Sequence, residues 1–279
     1  KKPGTPIWEK TLKDGAYGSA AVGADGTVYF CMPPWIYAVS GKTGSIKWRS
    51  DVAIGTSRLN GAIVENSTGT VPVIGQNGVV YVVGESLFAL DAVTGNKKWS
   101  FKGNFDSGFT SAIGIEGNVY VTSFGKSYLD QKKNKWINDQ TLHALAGKTG
   151  QVKWEFKAHG GGVPAIGPDG TVYVSGLFEE KRCLYALDGR SGVKKWAVKI
   201  DISTAPVIDA DGTIYLGVLG HGAEKFTVKE WTEDVGGKKV TYSNKKVTWI
   251  VDPKIVALDG RTGGKKWEFV TLAQIKSSP

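Results

Sequence analysis

The chain has 279 residues and a formal net charge of +9, with 41% hydrophobic and 22% charged residues. That balance excludes a disordered chain, and no stretch reaches the roughly 18–20 apolar residues of a membrane helix. Cys31 and Cys183 are too few and too far apart for a disulfide framework or a CxxC metal motif. The charge is carried by 30 lysines against 5 arginines. Arginine is the usual reader of phosphates and bases, so the charge reads as a solvated surface and argues against a nucleic-acid partner.

Taken in order, the chain opens with PIWEKTL, a lone strand over residues 5–12 centred on Trp8. A first unit over 17–50 then runs SAAVGA, DGTVYF, IYAV and TGSIKW, ending at Trp48. A second, over 70–101, runs TVPVIG, NGVVYV, LFAL and TGNKKW. The third (109–156) has TSAIGI, EGNVYV, LHAL and TGQVKW, and the fourth (162–198) has GVPAIG, DGTVYV, LYAL and SGVKKW. The fifth (203–269) closes with TAPVID, DGTIYL, IVAL and TGGKKW.

Each unit reads as four strands, A to D. Asp-Gly and Asn-Gly turns supply the positive φ of tight hairpins, so A–B and C–D are antiparallel. No segment of comparable length has helical periodicity. Four-stranded antiparallel units recurring every 40 residues or more predict an all-β fold, a β-propeller of five recognisable blades in a single domain over 1–279. The tryptophan of strand D is a packing wedge between blades. The lysine before it is expected on the other side of that strand, blunting an exposed edge. Single acids in two-residue turns do not converge as a calcium site requires.

Spacings between successive repeat tryptophans, from Trp8 to Trp267, are 40, 51, 55, 42 and 71, which locates three insertions. They are Ser57 to Thr70 in a D–A connection, Gly125 to Gln140 in a B–C connection, and Gly220 to Lys254 in another. The last holds two strand-like stretches, read as one projecting hairpin or a pair. In a four-stranded meander the B–C and D–A connections leave by the same end, so all three insertions should decorate one rim, where residues are free to bind.

Four tryptophans stand outside the repeat on that rim: Trp35, Trp136, Trp231 and Trp249. They read either as anchors for a protein partner or a sugar, or as small cores of their own insertions. Lys132 and Lys133 beside Trp136 favour an acidic partner or serve solubility. His159 (AHGGG) and His221 (LGHGAE) belong to the same rim, but two histidines lack the third ligand and fixed spacing of a zinc site. His143, in place of the tyrosine of LYAL, reads as a packed strand residue. Order alone nominates no Ser-His-Asp arrangement and no catalytic residue.

The unit A-x-D-G-x-V-Y followed by L-Y-A-L-D-x-x-T-G-x-x-x-W resembles the pyrroloquinoline quinone (PQQ) type propeller repeat over nearly the whole chain. Two kinds of protein carry that repeat: quinoprotein dehydrogenases, and non-catalytic BamB-like propellers. The dehydrogenases imply PQQ, calcium ligands and adjacent cysteines; here the cysteines are 152 positions apart. The resemblance therefore implies an exported, non-catalytic binding propeller of the periplasm or cell surface, without PQQ or Ca2+. Its alternatives are a fragment of a quinone-dependent oxidoreductase and a structural subunit of a cell-envelope assembly. Five blades plus a surplus strand at Trp8, with Ser277-Ser278-Pro279 in the register of a further strand A, lead to the expectation of a larger ring, completed by further sequence or another chain.

Overall fold

The computed structural model describes residues 5–11, 19–32, 34–52, 56–59, 62–65, 71–105, 111–130, 135–159, 162–178, 181–219, 223–235, 238–250 and 253–271. Their regular structure is all β. Blade 1 comprises β1 (Ala21–Val22), β2 (Thr27–Met32), β3 (Trp35–Ser40) and β4 (Ile46–Ser50). A small hairpin, β5 (Thr56–Leu59) with β6 (Ala62–Glu65), precedes blade 2, made of β7 (Val73–Gly75), β8 (Val79–Val83), β9 (Ser86–Asp91) and β10 (Lys97–Lys102). Blade 3 holds β11 (Ala112–Ile113), β12 (Val119–Asp130), β13 (Lys135–Leu145) and β14 (Val152–Lys157). Blade 4 holds β15 (Ala165–Ile166), β16 (Val172–Phe178), β17 (Lys181–Leu187) and β18 (Lys194–Lys199). Blade 5 begins with β19 (Val207–Ile208) and β20 (Thr213–Val218), is interrupted by β21 (Ala223–Val235) and β22 (Lys238–Ile250), and resumes with β23 (Lys254–Asp259) and β24 (Lys265–Val270).

Each blade is a four-stranded antiparallel sheet in sequence order, A next to B next to C next to D. The A strands approach one another in series: β1 with β7, β7 with β11, β11 with β15 and β15 with β19. They therefore line the axis, and the sheets fan outward from it. No such approach joins β19 to β1, so among the described residues the ring is open.

Burial follows from this arrangement. Strands B and C lie in the middle of each sheet, and blades 2 and 4 have a blade on either side, so Val79–Val83 and Leu184–Leu187 are buried throughout. Strand D is outermost, and its lysine-rich start is exposed in every blade.

The strand D tryptophan reaches the following blade. Trp48 Nε1 donates to Ala92 O at 2.9 Å, and its ring lies over Gly95, where a Cβ would come within 2.6 Å of it. Gly95 also has φ +75°, so the turn and the close approach both require glycine there. Trp99, Trp154 and Trp196 repeat the contact with Gly147 O, Gly189 O and Gly260 O at 2.9, 3.0 and 3.0 Å. The strand B tyrosine shares each acceptor: Tyr29, Tyr81, Tyr120 and Tyr173 donate to Ala92, Gly147, Gly189 and Gly260.

The segment expected as a closing strand differs. Residues 5–11 enter no β-ladder. Trp8 nevertheless donates to Gly41 O at 2.7 Å and lies over Gly44, as a strand D tryptophan would.

The lysines before the tryptophans also depart from expectation. They do not stand off as edge guards but lie across the sheet to its A–B turn. Lys47 binds Asp25 and Thr27, Lys195 binds Asp169 and Thr171, and Lys266 binds Asp211 and Thr213. Lys153 reaches Asn118 Oδ1, and Lys98 pairs with Asp91. The reason is geometric: strands A and B stop short at the turn, leaving an anionic loop within reach of a long side chain from strand D.

Candidate functional site

The antiparallel order of each blade sends the B–C and D–A connections out by the end opposite the Asp-Gly turns. At that end, β12 and β13 outrun their blade to pair as far as Asp130 with Lys135, with a register shift between Phe124 and Ser127. The insertion in blade 5 is one hairpin of 13 rungs, from Ala223 opposite Ile250 to Val235 opposite Lys238. In sequence it is inserted between the ladder partners Val218 and Lys254 of blade 5. Short β5–β6 occupies the D–A connection between blades 1 and 2.

Trp35 starts β3 opposite Met32 at the B–C turn of blade 1. It is half-buried, with the Arg49 guanidinium 4.2 Å above its ring, so the local blade already engages one of its faces. Trp136 is paired with Leu129 near the tip of the blade 3 extension. Trp231 is opposite Tyr242 and Trp249 opposite Glu224. The parity of that ladder places positions 231 and 249 on opposite faces of the ribbon. Lys132, Lys133 and His221 lie outside the described residues.

His159 has φ +40°, the sole non-glycine residue in that region among those described, and its Nδ1 lies 3.0 Å from Asp139 Oδ1 without hydrogen-bond alignment. Both main-chain N–H groups of Ala158 and His159 donate to Gln140 O, which ties the end of strand D to the start of strand C and bends the chain sharply. The residue is strained and paired, and no group of three His, Cys, Asp or Glu gathers around it or elsewhere among the described residues.

Sequence order missed a side-chain chain inside blade 3. Ser123 Oγ lies 2.7 Å from His143 Nε2, and His143 Nδ1 lies 2.9 Å from Glu155 Oε1. The carboxylate favours the Nδ1–H tautomer, so Nε2 accepts from the Ser123 hydroxyl. Burial is the largest influence on the imidazole and lowers its pKa, opposed by Glu155. The order of groups is that of an activated nucleophile, but Ser123 is only 7% exposed, and the Phe101 ring of blade 2 covers His143 at 5.0 Å. A nucleophile needs room for the reacting carbon beside it, so this chain links strands B, C and D rather than a substrate. Tyr185, the equivalent of His143 in blade 4, likewise packs on Phe156 and donates to Leu177 O. The expected packed strand residue is therefore what His143 is, with a polar link added.

Two grooves lie at the other end, among the A–B and C–D turns. One of about 730 Å³ runs between blades 2 and 3, lined by Gln76, Asn77, Glu116, Asn118 and Lys148 over Ile74 and Ile113. Its neighbour between blades 3 and 4 is crossed by Arg190, whose Nε lies 2.7 Å from Glu116 Oε1. At blades 2 and 3 the Asp-Thr pair of the other turns is replaced by Asn77-Val79 and Glu116-Asn118, which frees Glu116 to reach the next blade. The signal was present in those substitutions, yet only the fan of blades brings them to one groove.

A sequence model of the family described as outer membrane protein assembly factor BamB matches residues 1–130 and 102–278. The chain belongs to that family. BamB from Moraxella catarrhalis shares the fold at TM-score 0.56 and 16% identity, over 94% of this chain and 64% of that one. A europium-containing methanol dehydrogenase aligns at TM-score 0.61 and 14% identity, over 98% of this chain and 66% of that one. The Dos1 propeller aligns at 0.56 and 10%, over 93% and 61%. This chain thus spans less than two thirds of the length of each. No curated protein sequence matches it.

The turn carboxylates Asp25, Asp169 and Asp211 are each held by a threonine and a lysine of their own blade, and no cluster of three ligands exists among the described residues. Cys31 and Cys183 sit buried in separate blades, and burial pushes the Cys31 thiol up to about 12.

Proposed function

We propose that this BamB-family chain is a non-catalytic binding scaffold of the cell envelope, holding hairpins from the B–C/D–A end against a protein partner. The observation that carries the reading is the 13-rung β21–β22 hairpin, which pairs only within itself and stands on an otherwise regular blade. The repeat does not need it, and a rigid base lowers the ordering cost of binding. Trp231 and Tyr242 share a rung of that hairpin, and Trp136 lies on the extension of blade 3; aromatic residues of this kind are frequent interface anchors.

Export and the identity of the partner belong to the same proposal; the family description supports a role in outer-membrane assembly. A polysaccharide ligand is a second reading, favoured by the amide-lined 730 Å³ groove at the opposite end. The test replaces Ala223–Ile250 by a short turn, confirms the fold by circular dichroism, and measures cross-linking to envelope proteins alongside glycan binding. Loss of a cross-linked protein is expected. Unchanged cross-linking by this variant and by Trp231→Ala and Trp136→Ala refutes the reading, and glycan binding abolished by Asn118→Ala transfers the site to the groove.

A further inference from the structure

At the end of the blades that carries the A–B and C–D turns, the four junctions hold equivalent positions whose charges differ. The Arg190–Glu116 contact shows which positions face each other. Arg190 follows Gly189, whose carbonyl receives Trp154 of the preceding blade, and the Arg190 Nε lies 2.7 Å from Oε1 of Glu116 in that blade's A–B turn. The turns of blades 2 and 3 match theirs bond for bond. The Gly150 N–H donates to Ala146 O as that of Gly192 does to Asp188 O, and the Gly78 N–H donates to Gly75 O as that of Gly117 does to Gly114 O. Lys148 therefore holds the place of Arg190, and Asn77 the place of Glu116.

Position by position, the junctions set Val93 against Asp25, Lys148 against Asn77, Arg190 against Glu116 and Arg261 against Asp169. Between blades 2 and 3 alone a cation meets a neutral residue. Lys148 is exposed and forms no ion pair among the described residues. Glu116 borders the same groove, but its carboxylate is engaged by Arg190. The groove is about 730 Å³ at this junction and about 280 Å³ at the bridged one beside it. The larger volume is that of a small-ligand site.

We infer that the groove between blades 2 and 3 takes a carboxylate-bearing oligosaccharide, a uronic acid polymer in chemical class, whose carboxylate pairs with Lys148 where Glu116 pairs with Arg190 at the next junction. The side-chain amides of Gln76 and Asn77 both donate and accept, as sugar hydroxyls do. Ile74 and Ile113 offer the C–H face of a sugar ring an apolar floor. The inference goes beyond the hairpin face proposed for protein binding, and it rests on the second reading, of this groove as a glycan site.

The experiment titrates the 279-residue chain with trigalacturonate and with the same trisaccharide after reduction of its carboxyl groups, following affinity by calorimetry and location by backbone amide NMR. Both sugars should shift the amides of Gln76, Glu116 and Lys148, and trigalacturonate should bind about fivefold more tightly, the scale of an exposed ion pair. That preference should shrink as salt rises towards about 1 M, where the screening length is about 3 Å. Lys148→Met, at an exposed turn position, should abolish the preference while leaving the neutral sugar bound. Asn77→Glu supplies the missing carboxylate within the chain and should lower affinity for trigalacturonate alone. Circular dichroism checks that both variants fold. Equal binding of the two sugars, or a preference that survives Lys148→Met, overturns the carboxylate assignment and leaves the groove a glycan site. Binding of neither sugar ends the glycan reading together with the inference. Tighter binding of tetraglutamate than of trigalacturonate at the same amides overturns it in favour of an acidic peptide.

Discussion

Replacing Trp154 by alanine removes a side chain that is 9% exposed, lies over Gly192, and donates to Gly189 O at 3.0 Å. Tyr120 keeps a 2.9 Å bond to the same carbonyl, so no buried acceptor is orphaned and the cost is mainly the cavity and lost contact. Large-to-small changes of a buried tryptophan cost about 3–5 kcal/mol. Trp267→Ala removes the same chemical group from a position that is 47% exposed, and should cost less than about 1 kcal/mol. Stability of a blade array is close to a sum of unit and junction terms, so the difference belongs to the junction between blades 3 and 4. Urea unfolding followed by far-ultraviolet circular dichroism, which does not depend on the tryptophan removed, reads both variants. Equal losses in the two would refute the assignment of strand D tryptophans to blade junctions.

Gly95→Ala should destabilise by more than about 1 kcal/mol, because φ is +75° and the new Cβ meets the Trp48 ring at 2.6 Å; thermal unfolding checks it. His143→Phe leaves the buried Ser123 hydroxyl without its partner and should cost about 1–3 kcal/mol, with Ser123→Ala in the same background recovering part of the loss. Burial lowers the pKa of His143 in the fold, so its stabilising contribution is complete above the ordinary value of 6.5 and is lost as pH falls through the lowered one; the wild-type chain should show this loss and His143→Phe should not. Asp25 is held down to about 2 from 3.8, chiefly by hydrogen bonds from Thr27 and then Lys47, so its tie is intact above 3.8 and fails as pH falls through about 2; carboxyl titration by NMR in the wild type and in Lys47→Met reads the shift. Cys31 and Cys183 should react with a thiol reagent only on unfolding, as a reaction at the native-state rate of an exposed thiol would contradict their burial.

Local chemistry made the blades legible. Asp-Gly and Thr-Gly turns demand positive φ, and strands such as Val79–Val83 alternate no polar face because both of their faces are covered; both facts are encoded within a few residues. The same reasoning located the insertions and the rim they share, since an antiparallel meander admits only one end for them. Contacts between residues far apart in the chain were decided by tertiary structure alone. The ties from Lys47, Lys195 and Lys266 span 20 to 53 positions, depending on where strand D starts relative to the first turn. Ser123, His143 and Glu155 meet because three strands set their register independently, and parity of the β21–β22 ladder parted Trp231 from Trp249. The greater exposure of Trp267 has the same origin: its sequence matches Trp154 and Trp196, and only what packs against its blade among the described residues distinguishes it, because Trp154 lies against Gly192 and Gly189 O of the next blade.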